Sequence, residues 1–419
     1  MNLLFKQILY DQQAESGRLN FEKLVPRESL RDFPAQTNLV RIISGIRRCG
    51  KSTLAQMHLQ GRAFAYINFD DERLFHLRAD QLNDLLEAAY AVYGQFDCLF
   101  LDEIQNIEGW HLFVNRLQRQ GIELYITGSN SKLLSKELAT HLTGRYVQIE
   151  LSPFSFSEFL KLKAIDPTLQ TTNNLGHISA AFEEYLTNGG FPEIVMGNDS
   201  KRYASDLFNA IINRDILFRY NLRNSRALKE MALYLVSQFG REISYNRLKN
   251  IFQLGSDHTA RNYVDYLEET YLFATLSKFS WKKQESVRYR KLYVADASFI
   301  TSMGTGMSPD RGHLLENLVF THLNGSAKQQ GFELFYYKDL VEVDFLVREN
   351  RTITQAIQVC SDLRDERTLK REVMALIQAS GVTQCENLVV INESRSGTEI
   401  VGNLTVKFIK ITDWLTTPF

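Results

Sequence analysis

The chain has 419 residues, with 48 Lys and Arg against 49 Asp and Glu, giving a formal net charge of −1. That length exceeds one ordinary core and implies two to four domains, and 44% hydrophobic with 23% charged residues is the balance of a water-soluble globular protein. Near-neutrality excludes a global pull toward nucleic acid or membrane, so any such surface must be a local patch. The four cysteines, Cys49, Cys98, Cys360 and Cys385, lack the C-x-x-C spacing of a zinc or redox site. They fit reduced thiols in a cytoplasmic protein. Met1 to Leu9 lacks a basic start followed by a long apolar stretch, and no run approaches the length of a membrane span. A membrane partner is therefore not expected.

In chain order, the apolar run Leu39 to Ile43 predicts a strand. It leads into Gly45-Ile46-Arg47-Arg48-Cys49-Gly50-Lys51-Ser52, and a helical pattern follows from Ser52 and Thr53. The spacing G-x-x-x-x-G-K-S between a strand and a helix is that of a phosphate-binding loop. Its glycines let backbone approach a phosphate, and the N–H groups opening the helix point at the anion. Lys51 then faces the β- and γ-phosphates, and Ser52 offers its hydroxyl to Mg²⁺. A nucleoside triphosphate with Mg²⁺ is the implied ligand.

Ala63 to Asp70 reads as a second strand, and helices are predicted at Gln81 to Val92 and Trp110 to Gln120. Between these helices, Cys98-Leu-Phe-Leu-Asp-Glu-Ile-Gln105 is a continuous apolar run ending in two acids, the pattern of a buried parallel strand. Open α/β sheets place ligands at such carboxyl ends. Asp102 fits the acid that holds Mg²⁺, and Glu103 fits the base that polarises an attacking water. A further strand, Glu123 to Asn130, ends in Thr127, Ser129 and Asn130. These could sense a γ-phosphate, although strand-end turn chemistry explains Gly-Ser-Asn equally well.

Near residue 150 the pattern changes. Ser155 with Glu158 forms a capping box, S-x-x-E, and a long helical region follows, punctuated by Pro153, Pro167 and Gly189-Gly190. From Ser225 to about Lys291, three helices (Arg226 to Phe239, Ser244 to Phe252, Ser256 to Glu269) precede two short strands, the order of a winged helix-turn-helix. Asp257, His258, Arg261 and Asn262 lie at the exposed start of the third helix. The connection from Lys278 to Lys291 interleaves Lys282, Lys283, Arg288 and Arg290 with Trp281 and Tyr289. Cations among aromatics suit phosphate and base contacts of double-stranded DNA, and a solvated surface or a protein-docking role stays open beside that. From about 305 onward a helix (Gly312 to Leu323), strands at 334–337, 342–347 and 353–359, a charged helix at 363–379, and strands at 387–391 and 406–411 form a mixed α/β unit.

Taken together, several blocks resemble a bacterial and archaeal family of AAA-type ATPases with a C-terminal domain of unassigned function and PD-(D/E)xK nuclease-like fold. They are the Gly45 to Thr53 loop, Leu-Asp-Glu at 101–103, Thr-Gly-Ser-Asn-Ser-Lys-Leu-Leu at 127–134 and Leu-Thr-Gly-Arg at 142–145. Further on come Ser-Pro-Phe-Ser-Phe-Ser-Glu-Phe at 152–159, Gly-Gly-Phe-Pro-Glu at 189–193, Arg214-Asp215-Ile216 and Gly-His-Leu-Leu-Glu-Asn at 312–317. The implied fold class is α/β. An AAA-like P-loop NTPase parallel sheet at 1–150 is followed by a helical lid at 151–224, a winged helix-turn-helix at 225–300 and the nuclease-like domain at 301–419. The resemblance implies Mg²⁺-dependent ATP hydrolysis. It also makes Arg145 a candidate arginine donated to a neighbouring subunit of a homo-oligomer, with a structural Arg as the alternative.

Nuclease chemistry on that fold needs two acids and a lysine around a divalent metal. Glu316 and Asp344 stand at the acid positions, but E-x-K reads Gln358-Val359-Cys360. A metal ligand and a cation are missing together, so DNA cleavage is not expected. The biological process and any protein partner are left open.

Overall fold

The computed structural model describes residues 3–18, 24–29, 38–130, 142, 144–222, 225–282, 289–304 and 309–417. These fall into two compact units, Met1–Ser152 with Glu269–Tyr271, and Pro153–Glu268 with Leu272–Phe419.

In the first unit, α1 (Leu3–Ser16) precedes β1 (Val40–Gly45), α2 (Lys51–His58), β2 (Phe64–Asn68), α3 (Leu82–Tyr93), β3 (Cys98–Asp102), α4 (Trp110–Arg119), β4 (Glu123–Gly128) and β5 (Tyr146–Leu151). The strands form one parallel sheet in the order β2-β3-β4-β1-β5. Every residue of β1 and β3 is buried, which explains their uninterrupted apolar runs. Arg41 is tolerated inside β1 because its guanidinium pairs with Glu123 of β4 and lies 5.1 Å from the Tyr125 ring centroid. Ile42, Leu99, Leu101, Trp110 and Ile126 belong to the main core of this unit. β5 is an additional edge strand to the sequence expectations, and only Ile149 and Leu151 of its six residues are buried. The chain leaves β1 for β2 at the far edge and later returns to β5 on the other side of β1. The carboxyl end of β1 is therefore the topological switch point, where such sheets form a ligand crevice.

The second unit opens with α5 (Phe156–Leu162), α6 (Thr172–Asn188), a short turn Pro192–Val195, and α7 (Ser200–Ala210), which runs into a π-helical stretch, Ile211–Phe218. The capping box forms as the sequence predicts: Glu158 N–H donates to Ser155 Oγ at 3.1 Å, and Ser155 N–H donates to Glu158 at 2.9 Å. Then come α8 (Ser225–Ser237), β6 (Arg241–Ile243), α9 (Tyr245–Ile251), α10 (Asp257–Glu269), β7 (Phe273–Ser277) and β8 (Arg290–Val294). The three strands pair antiparallel in the order β6-β8-β7. Ser256 caps α10 through Thr259 N–H at 3.1 Å.

After α11 (Ala297–Met303), the long α12 (Arg311–Gln330) precedes β9 (Glu333–Lys338), β10 (Glu342–Glu349), β11 (Thr352–Cys360), α13 (Glu366–Thr383), β12 (Leu388–Asn392), β13 (Gly397–Val401), β14 (Leu404–Lys410) and α14 (Ile411–Thr416). A mixed sheet runs β13-β14-β12-β11-β10-β9. Phe156, Phe182, Leu276, Tyr293, Phe320 and Phe345 share one core. The early helices, the small sheet and the large sheet of this unit are thus welded together. Among the described residues no helix is long and apolar enough to cross a membrane.

Candidate functional site

The loop after β1 is shaped by backbone requirements. Gly45 has φ +146°, and a Cβ there would sit 2.1 Å from the Leu151 carbonyl oxygen, so only glycine lets β1 end so close to β5. Arg27 braces the loop from outside, its guanidinium donating to the Cys49 carbonyl at 2.9 Å and the Ser152 carbonyl at 2.7 Å. Cys49 is fully buried against the Leu151 carbonyl. Burial pushes its thiol up, so it is an inert thiol rather than a reactive thiolate.

Lys51, at the start of α2, is buried. Its Nζ donates to the carbonyls of Gly45 and Ile46 at 3.2 Å each and lies 3.5 Å from Glu103 Oε1. Ser52 donates to Asp102 Oδ1 at 2.9 Å. Asp102 also accepts from the Thr127 hydroxyl and, at 2.9 Å, from Tyr66 OH. Burial, then the neighbouring Glu103 charge, raise the Asp102 carboxyl; the three hydroxyl donors act in the opposite direction. Glu103 ends lowered: burial works against it, but Lys51 and the donors Gln105 and Ser129 outweigh that.

Glu103 adopts φ 55°, ψ 36°, a left-handed conformation costly for a non-glycine residue and characteristic of functional sites. Its N–H donates to Thr127 Oγ1 at 3.1 Å, and Ser129 Oγ donates to its carboxylate at 3.1 Å. The hydroxyls of Thr127 and Ser129 are therefore turned onto the two acids. Asn130 is fully buried. The Ser52 hydroxyl and Asp102 carboxylate are hard oxygen donors converging at one point, a donor set that suits Mg²⁺. Arg47 pairs with Asp70 at 3.0 Å, while Arg48 is exposed with φ 64°. Ile46 is buried and Thr53 half-buried.

Comparison with known proteins agrees with this geometry. Residues 37–160 match the model of the AAA domain, and residues 179–311 match a domain of unknown function (DUF8612). The uncharacterized protein MJ1544 of Methanocaldococcus jannaschii is 35% identical over 400 residues, covering 92% of this chain and 88% of that one. This chain belongs to the MJ1544 family. Its P-loop unit is the AAA domain of a nucleotide-binding ATPase. An uncharacterized protein of Haemophilus influenzae is 29% identical over 397 residues, or 90% of this chain and 94% of that one. Among solved structures, the replication initiator DnaA bound to AMPPCP and single-stranded DNA aligns over 58% of this chain and 85% of its own, at 18% identity and a TM-score of 0.25, too weak a likeness to bear on function.

Within the first unit, two site residues carry no sequence signal. Tyr66 reads as core in an apolar strand; the one hint is that a buried tyrosine hydroxyl needs a partner. Arg27 lies well before the motif. Arg145 is exposed at the amino end of β5, opposite the loop end of the sheet, with Asn115 at 3.5 Å. It does not join the site of its own chain. Ser131 to Leu134 and Thr143 lie outside the described residues.

In the second unit, His258 and Asn262 are 3.3 Å apart on α10, and the Arg261 guanidinium lies 5.0 Å from the Tyr245 ring centroid. Trp281 is 72% exposed beside Lys282, and Arg290 opens β8. Lys283 and Arg288 lie outside the described residues.

Glu316, Asp344 and Gln358 converge on a cavity of about 460 Å³ also lined by Glu342, Arg371 and Glu372. Cys360 does not line it; its sulfur donates to the Asp362 carbonyl. Both polar atoms of the Gln358 amide are engaged, the oxygen accepting from Asp344 N–H at 3.2 Å and the nitrogen donating to Glu372 at 2.6 Å. Glu342 and Glu372 line the cavity, and a lysine from β8, Lys291, pairs with its acids; sequence spacing could not reveal them.

Proposed function

We propose that this protein is a Mg²⁺-dependent ATPase that works as a DNA-associated switch or motor. The carrying observation is the convergence of Lys51, Ser52, Asp102 and Glu103 at the switch point of the parallel sheet. Lys51 exchanges its carbonyl and carboxylate partners for the β- and γ-phosphates. Ser52 and Asp102 hold Mg²⁺, which when bound neutralises charge on the phosphate oxygens. Glu103, held ionised beside Lys51, orients the attacking water and takes its proton. Thr127 and Ser129 tie the two acids to β4, so a change at the γ-phosphate is felt at that strand. An Arg145 donated by a second copy would complete the γ-phosphate surroundings.

DNA association is supported by the order helix, strand, helix, helix, strand, strand over 225–294 with a three-stranded antiparallel sheet, which is that of a winged helix. Exposed Trp281 beside Lys282, and His258 and Asn262 at the start of α10, supply stacking and polar groups for a duplex. Nuclease activity is not part of the proposal, because the C-terminal site pairs its acids internally.

The engagement of Lys51 by its own loop and by Glu103 also favours a second reading, a nucleotide-dependent protein-interaction switch with little turnover. One experiment separates the two. ATP turnover is measured with and without double-stranded DNA in the parent and in Glu103→Gln. DNA-stimulated turnover that vanishes in the variant supports the DNA-directed ATPase. Nucleotide binding without turnover in either condition supports the switch.

A further inference from the structure

Three of the acids that line the cavity in the second unit meet a cation supplied by the chain itself. Lys291 lies on β8, two residues before Tyr293, so both side chains leave the strand on the same face. They meet at one acceptor: Glu316 Oε1 takes Lys291 Nζ at 2.9 Å and Tyr293 OH at 2.7 Å. The same ammonium is 2.7 Å from Glu342 Oε1 and 3.7 Å from Asp344 Oδ1, and 5.5 Å from the Tyr336 ring centroid. Its side chain is only 3% exposed. An ammonium has three N–H donors, and three carboxylates from α12 and β10 surround this one. The placement is rigid, because the Tyr293 ring stacks on Phe320 of α12 with centroids 4.0 Å apart.

The other groups of the cavity are paired as well. Asp344 Oδ2 accepts from Val359 N–H at 2.9 Å. Glu372 is held by Gln358 and Arg371. Glu342 Oε2 lies 3.1 Å from Lys338. Burial, followed by the charge of Glu316, pushes Asp344 well above the carboxylate range. Lys291 and Lys338 are the cations that face Glu316, Glu342 and Asp344. Among the described residues, no group of three or more His, Cys, Asp or Glu is disposed to hold a metal.

The nuclease-like resemblance implies a divalent metal between Glu316 and Asp344, and these residues do not fit one. We propose that the Lys291 ammonium is the resident cation of this carboxylate cluster, standing in the place of a divalent metal. The native protein then takes up no divalent cation there, and removing the ammonium creates a site for one. A carboxylate triad left without its counter-charge is a hard, all-oxygen donor set, which prefers Mg²⁺, Mn²⁺ or Ca²⁺.

The test uses the full chain without nucleotide, carrying Asp102→Asn to silence the P-loop acid. Mn²⁺ uptake is read from loss of the free-ion electron paramagnetic resonance signal. The Lys291 form should give an isotherm that Asp344→Asn does not change. Lys291→Met should take up one further Mn²⁺ per chain that the Lys291 form does not, and lose it when Asp344→Asn is added. A thermal melt is the second measurement. Lys291→Met should melt lower in EDTA and recover with Mn²⁺, because a ligand bound only by the folded state stabilises it. Mn²⁺ uptake by the Lys291 form that disappears in Asp344→Asn overturns the proposal. So does a folded Lys291→Met that takes none. If Lys291→Met folds only with Mn²⁺, the proposal stands; if Mn²⁺ fails to recover it while Lys291→Arg folds, the equivalence of ammonium and metal is refuted.

Discussion

Glu103→Gln separates two roles that one carboxylate plays in the nucleotide-free site. The charge lies 3.5 Å from Lys51 Nζ, where at an effective dielectric constant of ~20 the raw attraction is about 5 kcal/mol. ATP has to draw Lys51 away from that partner. The variant removes the competing anion, yet the carbonyls of Gly45 and Ile46 still hold the ammonium at 3.2 Å. Most of that raw attraction is therefore not recovered as affinity, and ATP binding should tighten by at most about tenfold, or about 1.4 kcal/mol. Turnover should fall by about 10²- to 10⁴-fold, the usual contribution of a positioned general base. The assay pairs equilibrium binding of ATP in Mg²⁺ with single-turnover hydrolysis. Parental turnover refutes the assignment of Glu103 as base. Binding weakened tenfold or more refutes the competition argument and makes Glu103 an organiser of the loop.

Three more outcomes follow from the same geometry. Because the Asp102 carboxyl is raised above its usual value near 3.8, its ionised form opposes folding, and the parent gains stability as pH falls from the raised value toward 3.8. Asp102→Asn should thus melt higher than the nucleotide-free parent at neutral pH, with the gap closing toward pH 4, while losing Mg²⁺-dependent nucleotide binding; a lower melting point at neutral pH would contradict this. Tyr66→Phe removes one of three hydroxyls on Asp102 and should lower stability by about 1.5–3 kcal/mol, as for hydrogen bonds to charged groups, read by urea melts. Replacing Lys282 and Arg290 with Ala should weaken duplex DNA binding and reduce the slope of log affinity against log salt by about 0.9 for each phosphate no longer neutralised; unchanged binding and slope would remove this surface from the DNA reading.

The AAA site was legible because its residues sit at the ends of elements with strong local patterns. β1 and β3 are buried on both faces, so their apolar runs are continuous and end abruptly at the loop and at Asp102. The capping box at Ser155 is likewise a local device. β5 was not legible because it is an edge strand with two of six residues buried, which leaves no apolar run. β13, mostly exposed, fails for the same reason. Residue partnerships across distant elements left no trace at all. Tyr66 meets Asp102 across 36 positions and Lys291 meets Glu316 across 25, and nothing in either segment marks the partner. The sequence reading of the C-terminal site turned on the neutral amide and thiol of Gln358 and Cys360. The residue that neutralises the cavity lies on another element.

The two units place the same ingredients, a buried lysine and two or more carboxylates, in arrangements with opposite consequences. Lys51 has neutral carbonyls at 3.2 Å and a carboxylate at 3.5 Å among its partners. On the proposed reading, a polyanion displaces those partners. Lys291 has carboxylate oxygens at 2.9 and 2.7 Å and a third at 3.7 Å, so its charge is already met by anions in a dry setting. A phosphate approaching Lys291 would have to displace carboxylates that then lie buried without a counter-ion, a penalty of several kcal/mol per ion. Lysine near acids therefore predicts neither a binding site nor a spent one. What decides is whether the first partners of the ammonium are dipoles, which yield to an anion, or charges, which do not. By that criterion we propose that nucleotide chemistry belongs to the AAA domain and that the acids of the second unit belong to its architecture.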